Sequence, residues 1–232
     1  MAVFSPCSEI LYYSGNTVLC KGFKFQVSNF KFKEITMETK RIVFVGVGGQ
    51  GNLLASRLLG EACISAGIPA VVSEIHGMAQ RGGIVESAVI MGAKSPIVSK
   101  GEADILIGFE PSETLRALNK CNKDTVVITN IHPLPPFTVA IGQGVYPDID
   151  KSLDIIRDNV SLLIAFDGDE LAAKAENPLS LNMVMLGALV GSKAIPLEAD
   201  ILKATISKTT KQAFVESNLK AFDFGVAASR VG

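Results

Sequence analysis

Residues 41–51, RIVFVGVGGQG, run a short apolar stretch directly into glycines. A strand covered on both faces reads as such an unbroken run, and glycine lets the chain turn sharply as it leaves the strand. In residues 52–67, NLLASRLLGEACISAG, Leu54, Leu58 and Ala62 fall at helical spacing, and the pattern stops at Gly67 with Pro69 beyond. Strand, glycine turn and helix in that order open an α/β unit. Gly46, Gly48 and Gly51 match G-x-G-x-x-G, and Glu74 stands on the following apolar stretch, where dinucleotide sites place a ribose-binding acid.

The same alternation continues outward. PAVVSE reads as a second strand, GIVESAVIMG as a third with Ile84, Val89 and Met91 expected in the core, and ADILIGF as a fully covered strand. EPSETLRALNKC starts a helix, with Pro111 near its beginning and Glu110 and Glu113 in its first turn. DTVVITN is another strand, PLPPF breaks the pattern, and SLDIIRDN, SLLIAFD and GDELAAKAE resume it. Residues 179–221 read as helical. The expected class is α/β: a single Rossmann-like domain over residues 37–232, with a mostly parallel sheet flanked by helices and a helical C-terminal segment. Residues 1–36 read as an N-terminal extension. Phe23, Phe25 and Val27, then Phe30 and Phe32, alternate about Ser28-Asn29 as in a hairpin. The alternative is a disordered stretch ahead of Met37, itself a possible start.

With 232 residues the chain can bury a core without staples. A net charge of −1, no Trp and 6% aromatic residues disfavour nucleic acid. No run approaches the length of a membrane helix and no leader pattern opens the chain, so a cytoplasmic protein is expected. The four cysteines, Cys7, Cys20, Cys63 and Cys121, form no C-x-x-C pair, which excludes the usual local zinc and iron–sulfur patterns. No metal site is expected.

Residues 73–83, SEIHGMAQRGG, are unusual for a nucleotide-binding unit. After Glu74 such a unit enters a helix, whereas here a glycine-rich loop runs straight into the next strand. Gly49 and Gln50 also make the 46–51 turn atypical. Three readings stay open for that turn: a nucleotide site, a packing turn, or a subunit contact. In the loop, Gly77, Gly82 and Gly83 permit close backbone approach, and Arg81 offers a bidentate fork to a carboxylate or phosphate. His76 and Gln80 add hydrogen-bonding groups, with a structural histidine and an intersubunit ion pair as the plainer readings of His76 and Arg81. Glu110 reads as a helix-start acid, with a general base as the alternative. His132 reads as an ordinary loop residue. Asn182, Met183 and the Gly187-x-x-x-Gly191 spacing mark a helix with one slim side, suited to packing on the core or on a partner.

Together, GVGGQG, SEIHGMAQRGGIVES, SP at 95–96, GEADILIGFEPSETLRAL and NMVMLGAL resemble the gamma-type subunits of the 2-oxoacid:ferredoxin oxidoreductases, over roughly residues 41–195. HGMAQRGG and EPSE resemble the indolepyruvate branch. The resemblance implies the small (beta) subunit of a thiamine-dependent enzyme that oxidatively decarboxylates an arylpyruvate to an acyl-CoA and passes electrons to ferredoxin. It implies thiamine diphosphate and 4Fe–4S clusters in a large partner subunit, CoA as co-substrate, and no cofactor bound by this chain alone. No catalytic residue is assigned here. The residues expected at a ligand or subunit contact are Gly46, Gly48, Gly49, Gln50, Gly51, His76, Gly77, Gln80, Arg81, Gly82, Gly83 and Glu110. The competing readings are a self-sufficient NAD(P)- or FAD-binding oxidoreductase and a non-redox binding or regulatory module.

Overall fold

The computed structural model describes residues 10–14, 17–20, 23–26, 37–76, 83–93, 95–135, 139, 142 and 144–230. The chain divides into two units, Met1–Ile35 and Thr36–Gly232. In the first, strands Ile10–Ser14 (β1), Thr17–Cys20 (β2) and Phe23–Gln26 (β3) form an antiparallel sheet in the order β1-β2-β3. The alternating Phe23–Gln26 stretch thus pairs with the strand before it. The turn expected at Ser28-Asn29, with Val27, Phe30 and Phe32, lies outside the described residues.

The second unit opens with strand Lys40–Val47 (β4), helix Asn52–Ser65 (α1), and strands Ala70–His76 (β5), Ile84–Met91 (β6) and Ile105–Gly108 (β7). Helix Pro111–Arg116 (α2), strand Val126–Asn130 (β8), helix Ile149–Arg157 (α3), strand Leu162–Phe166 (β9) and helix Gly168–Lys174 (α4) follow. Helices Leu181–Gly191 (α5), Ala199–Thr209 (α6) and Gln212–Ala228 (α7) end it, the last running beyond the expected limit at 221. The six strands lie in the order β5-β6-β4-β7-β8-β9. β4, β7, β8 and β9 are mutually parallel, and β6 runs against both β4 and β5. The mostly parallel sheet expected from the sequence is therefore the one observed.

β4 explains why its sequence is uniformly apolar. Ile42 and Phe44 face a core built with α1, α4, α5, α6 and α7, while Val43 and Val45 face a second core with Ala117 and with Ile156 of α3. Both faces are covered, so period-two alternation is lost. Val89 and Met91 are fully buried as expected, but Ile84 is 44% exposed. It opens β6 opposite Val47, at the end of the sheet, beyond the reach of the covering helices. In α1, Leu58 and Ala62 are buried whereas Leu54, in the first turn, stands 47% exposed.

The slim side of α5 packs on α7. A Cβ on Gly187 would overlap the Phe222 carbonyl, and one on Gly225 would overlap the Val184 carbonyl, so the two backbones touch where side chains would hold them apart. The helix singled out by Gly187 and Gly191 is thus core. Among the described residues no helix is long and apolar enough to cross a membrane.

Candidate functional site at the carboxyl edge of the sheet

Parallel strands β4, β7, β8 and β9 end on one edge, and α/β folds place ligand and contact sites at that edge. The 46–51 turn leaves β4 there. Gly49 and Gly51 have φ of 108° and 79°, left-handed values that favour glycine. Gln50 closes the turn from within: its Oε1 accepts the Val47 N–H at 2.8 Å, and its Nε2 donates to the Phe109 carbonyl at 2.9 Å. Gly46 makes room for this, since a Cβ there would lie 2.9 Å from Gln50 Oε1 and 2.8 Å from Phe109 Cβ. Buried Asn52 then ties the start of α1 to β6 by donating from Nδ2 to the Val85 carbonyl at 2.9 Å.

The two ends of the glycine-rich loop, His76 and Gly83, lie at the same edge. His76 ends β5 opposite Val85, and Gly48 N–H donates to the Gly83 carbonyl at 2.9 Å. Turn and loop ends are thereby brought together. Gly77, Gln80, Arg81 and Gly82 lie outside the described residues.

Glu110, placed at the site by the sequence, is fully buried and caps α2. Its Oε2 accepts the Glu113 N–H at 2.9 Å and the Ser112 hydroxyl at 2.7 Å. Its Oε1 accepts the Leu134 N–H at 3.4 Å and the Tyr146 hydroxyl. The helix-start reading is the one observed. Burial, then the adjoining Glu110 carboxylate, raises the Tyr146 phenol above its ordinary range. Burial likewise raises the Glu113 carboxyl, against the opposing charge of Arg116, whose Nη1 reaches both Glu113 oxygens at 3.0 and 3.2 Å.

Sequence reasoning passed over Asn130, the fully buried residue ending β8. Its Nδ2 donates to the Phe109 carbonyl at 3.0 Å and to Asp169 Oδ2 at 2.8 Å, while its Oδ1 accepts the His132 and Gly168 N–H groups at 3.1 and 2.9 Å. One carbonyl, that of Phe109, thus receives both Gln50 and Asn130. The available signal was a pair of polar side chains, Thr129 and Asn130, closing the otherwise apolar VVITN strand.

His132 Nδ1 lies 3.5 Å from Asp167 Oδ2, and these two with Asp169 offer donor atoms within 4.8 Å of one another. Two of the three already have structural duties: Asp167 Oδ1 caps α4 by accepting the Glu170 N–H at 2.8 Å, and Asp169 holds Asn130. The thiols with described side chains do not fit an iron–sulfur cluster. Cys63 belongs to the core on one face of the sheet and Cys121 packs on the other, and burial pushes both up to about 11, away from the thiolate form that ligates iron. The two buried carboxylates are also engaged, Glu110 at both oxygens and Glu113 by Arg116.

The model of the pyruvate ferredoxin/flavodoxin oxidoreductase family matches residues 41–228. Indolepyruvate oxidoreductase subunit IorB of Pyrococcus horikoshii is 39% identical over 197 residues, covering 84% of this chain and 98% of that protein. The protein of the same name from Methanothermobacter thermautotrophicus is 40% identical over 190 residues, covering 81% of this chain and 97% of its own. The gamma subunit of a keto/oxoacid ferredoxin oxidoreductase from Geobacter sulfurreducens shares the fold, with a TM-score of 0.61 at 24% identity, over 83% of this chain and 99% of its own. The resemblance carried by the glycine turn, the HGMAQRGG loop and the EPSE helix start is borne out: the chain belongs to the pyruvate ferredoxin/flavodoxin oxidoreductase family.

Proposed function

We propose that this chain is the small subunit of an indolepyruvate:ferredoxin oxidoreductase and acts by presenting the carboxyl edge of its sheet to a large partner subunit. The assembly converts an arylpyruvate and CoA to an arylacetyl-CoA and carbon dioxide, with the electrons passed to ferredoxin. Thiamine diphosphate and 4Fe–4S clusters reside in the partner on this reading, in a cytoplasmic complex. Two relatives near 40% identity that carry an indolepyruvate oxidoreductase subunit name support it. The observation that carries it is the Gly48–Gly83 hydrogen bond, which ties the glycine turn to one end of the 76–83 loop while His76, at the other end, pairs with Val85 at the same edge. Gln50 fills the inside of that turn, which favours a preformed contact surface over a nucleotide cradle.

In this role Gly46, Gly48, Gly49 and Gly51 shape the surface, Gln50 fixes it, and Glu110 anchors the neighbouring helix start. Arg81 supplies a charged fork to the partner or its ligand, with His76 and Gln80 as further hydrogen-bonding groups. The test is reconstitution with the large subunit, using indolepyruvate-dependent ferredoxin reduction as the readout. Arg81→Ala is expected to weaken assembly or turnover while leaving the isolated fold unchanged. Turnover of a 2-oxoacid by this chain without a companion overturns the proposal.

A further inference from the structure

A cavity of about 310 Å³ opens where the first turn of α1, the start of α5 and the α6–α7 junction meet. Leu54, Met183, Leu179 and Phe214 give it apolar walls, and three of these sit exposed at its rim: Leu54 at 47%, Leu179 at 89% and Phe214 at 52%. Most of its polar lining is internally satisfied. Asn177 Nδ2 donates to Asn218 Oδ1 at 3.0 Å, and Asn218 Nδ2 to Thr210 Oγ1 at 3.4 Å. Asn182 differs. It is only 4% exposed and its Oδ1 accepts the Met183 N–H at 3.1 Å, yet its Nδ2 has no acceptor among the described residues. Lys211 lines the same cavity, and among the described residues no carboxylate lies within ion-pair distance of it.

An amide donor with no protein acceptor, reached by solvent on a residue only 4% exposed, and a cation, together on apolar walls, recognise an anion that carries an apolar body. We propose that this cavity binds a small organic acid, its carboxylate between Asn182 Nδ2 and Lys211 and its aryl or alkyl body against Leu54, Met183 and Phe214. One amide and one ammonium suit a monoanion, whereas phosphate groups call for a denser set of donors. The volume stands at the lower end of small-molecule sites, which limits the body to about one ring or a short chain. The site adjoins the 46–51 turn, since a Cβ on Gly51 would lie 2.9 Å from Asn182 Nδ2. The proposal concerns a ligand of this chain and holds whichever 2-oxoacid the assembly oxidises.

Calorimetric titration of the full chain with phenylacetate and octanoate tests it, with neutral phenylacetamide and inorganic phosphate alongside. Saturable one-site binding of an acid is expected, with both comparison compounds at least about tenfold weaker, the loss expected for one charge-assisted hydrogen bond. Asn182→Asp keeps the acceptor for the Met183 N–H but turns the donor into a repelling oxygen, and it should abolish binding. Lys211→Met, at an exposed position, should weaken binding at least about tenfold without altering the melting temperature. The proposal is overturned if neither acid binds, or if acid binding survives both substitutions.

Discussion

Gln50 and Phe109 stand 59 residues apart in sequence and meet through one amide, Nε2 donating to the Phe109 carbonyl at 2.9 Å while Oε1 holds the Val47 N–H at 2.8 Å. The side chain therefore staples the turn leaving β4 to the end of β7. A turn built to receive phosphates presents free backbone N–H groups; this one satisfies Val47 internally and gives Gly48 N–H to Gly83.

Gln50→Ala removes both arms of the staple and leaves the Val47 N–H without its partner. A loss of about 1–3 kcal/mol in unfolding free energy is expected, read from urea midpoints at constant slope. Gln50→Glu keeps the acceptor but sets a carboxylate against the Phe109 carbonyl, and should cost at least as much. A midpoint unmoved by either change would show that the amide fixes nothing.

Asn130 shares the Phe109 carbonyl with Gln50, so the two substitutions should not add. Asn130→Ala orphans the His132 and Gly168 N–H groups and releases Asp169, for an expected loss of about 2–4 kcal/mol. In a double-mutant cycle with Gln50→Ala, a coupling of about 0.5–3 kcal/mol is expected, because both donors hold one acceptor. Strict additivity would mean that turn and strand end are independent.

The architecture was legible in the sequence because buried parallel strands and their helices leave strong local patterns. Runs such as ILIG at 105–108 are apolar throughout because both faces of the sheet are covered. Where a pattern stops being covered is not local information. Ile84 looks like any inward residue of β6, and only the placement of helices on the sheet leaves it exposed. Leu54 misleads in the same way, since its helical spacing is sound and the space beside it is an open cavity. Glu110 was found through helix-start chemistry, a rule with a fixed offset. Asn130 and Tyr146 escaped because their partners lie 21 and 36 residues away, at Phe109 and Glu110, distances no spacing rule spans.

Glu113 makes a pH-dependent contribution whose sign follows from its surroundings. Burial raises its folded-state carboxyl above the ordinary value, so the folded chain binds that proton more tightly than the unfolded chain. Stability from this group is then present at low pH and falls as pH rises from the ordinary carboxylate value through the raised one. Glu113→Gln removes the titration. The difference in unfolding free energy between the wild type and Glu113→Gln should move in favour of Gln as pH increases from about 4 to 7. A pH-independent difference would place the carboxyl in solvent.

The crossing of α5 and α7 sets the limit on what the helical layer tolerates. Beta carbons on Gly187 and Gly225 would strike backbone carbonyls of the facing helix, Phe222 and Val184, and a backbone has no rotamer to retreat into. Gly187→Ala and Gly225→Ala are each expected to cost about 3 kcal/mol, the upper end for overpacking. Gly101 is the control: at φ 73° with nothing near its Cβ direction, alanine there meets only conformational strain of about 1–2 kcal/mol. For a chain of this length each kcal/mol lowers the melting temperature by about 2–4 °C. The helix substitutions should therefore melt several degrees below Gly101→Ala. If all three melt together, the close crossing is not what those glycines secure.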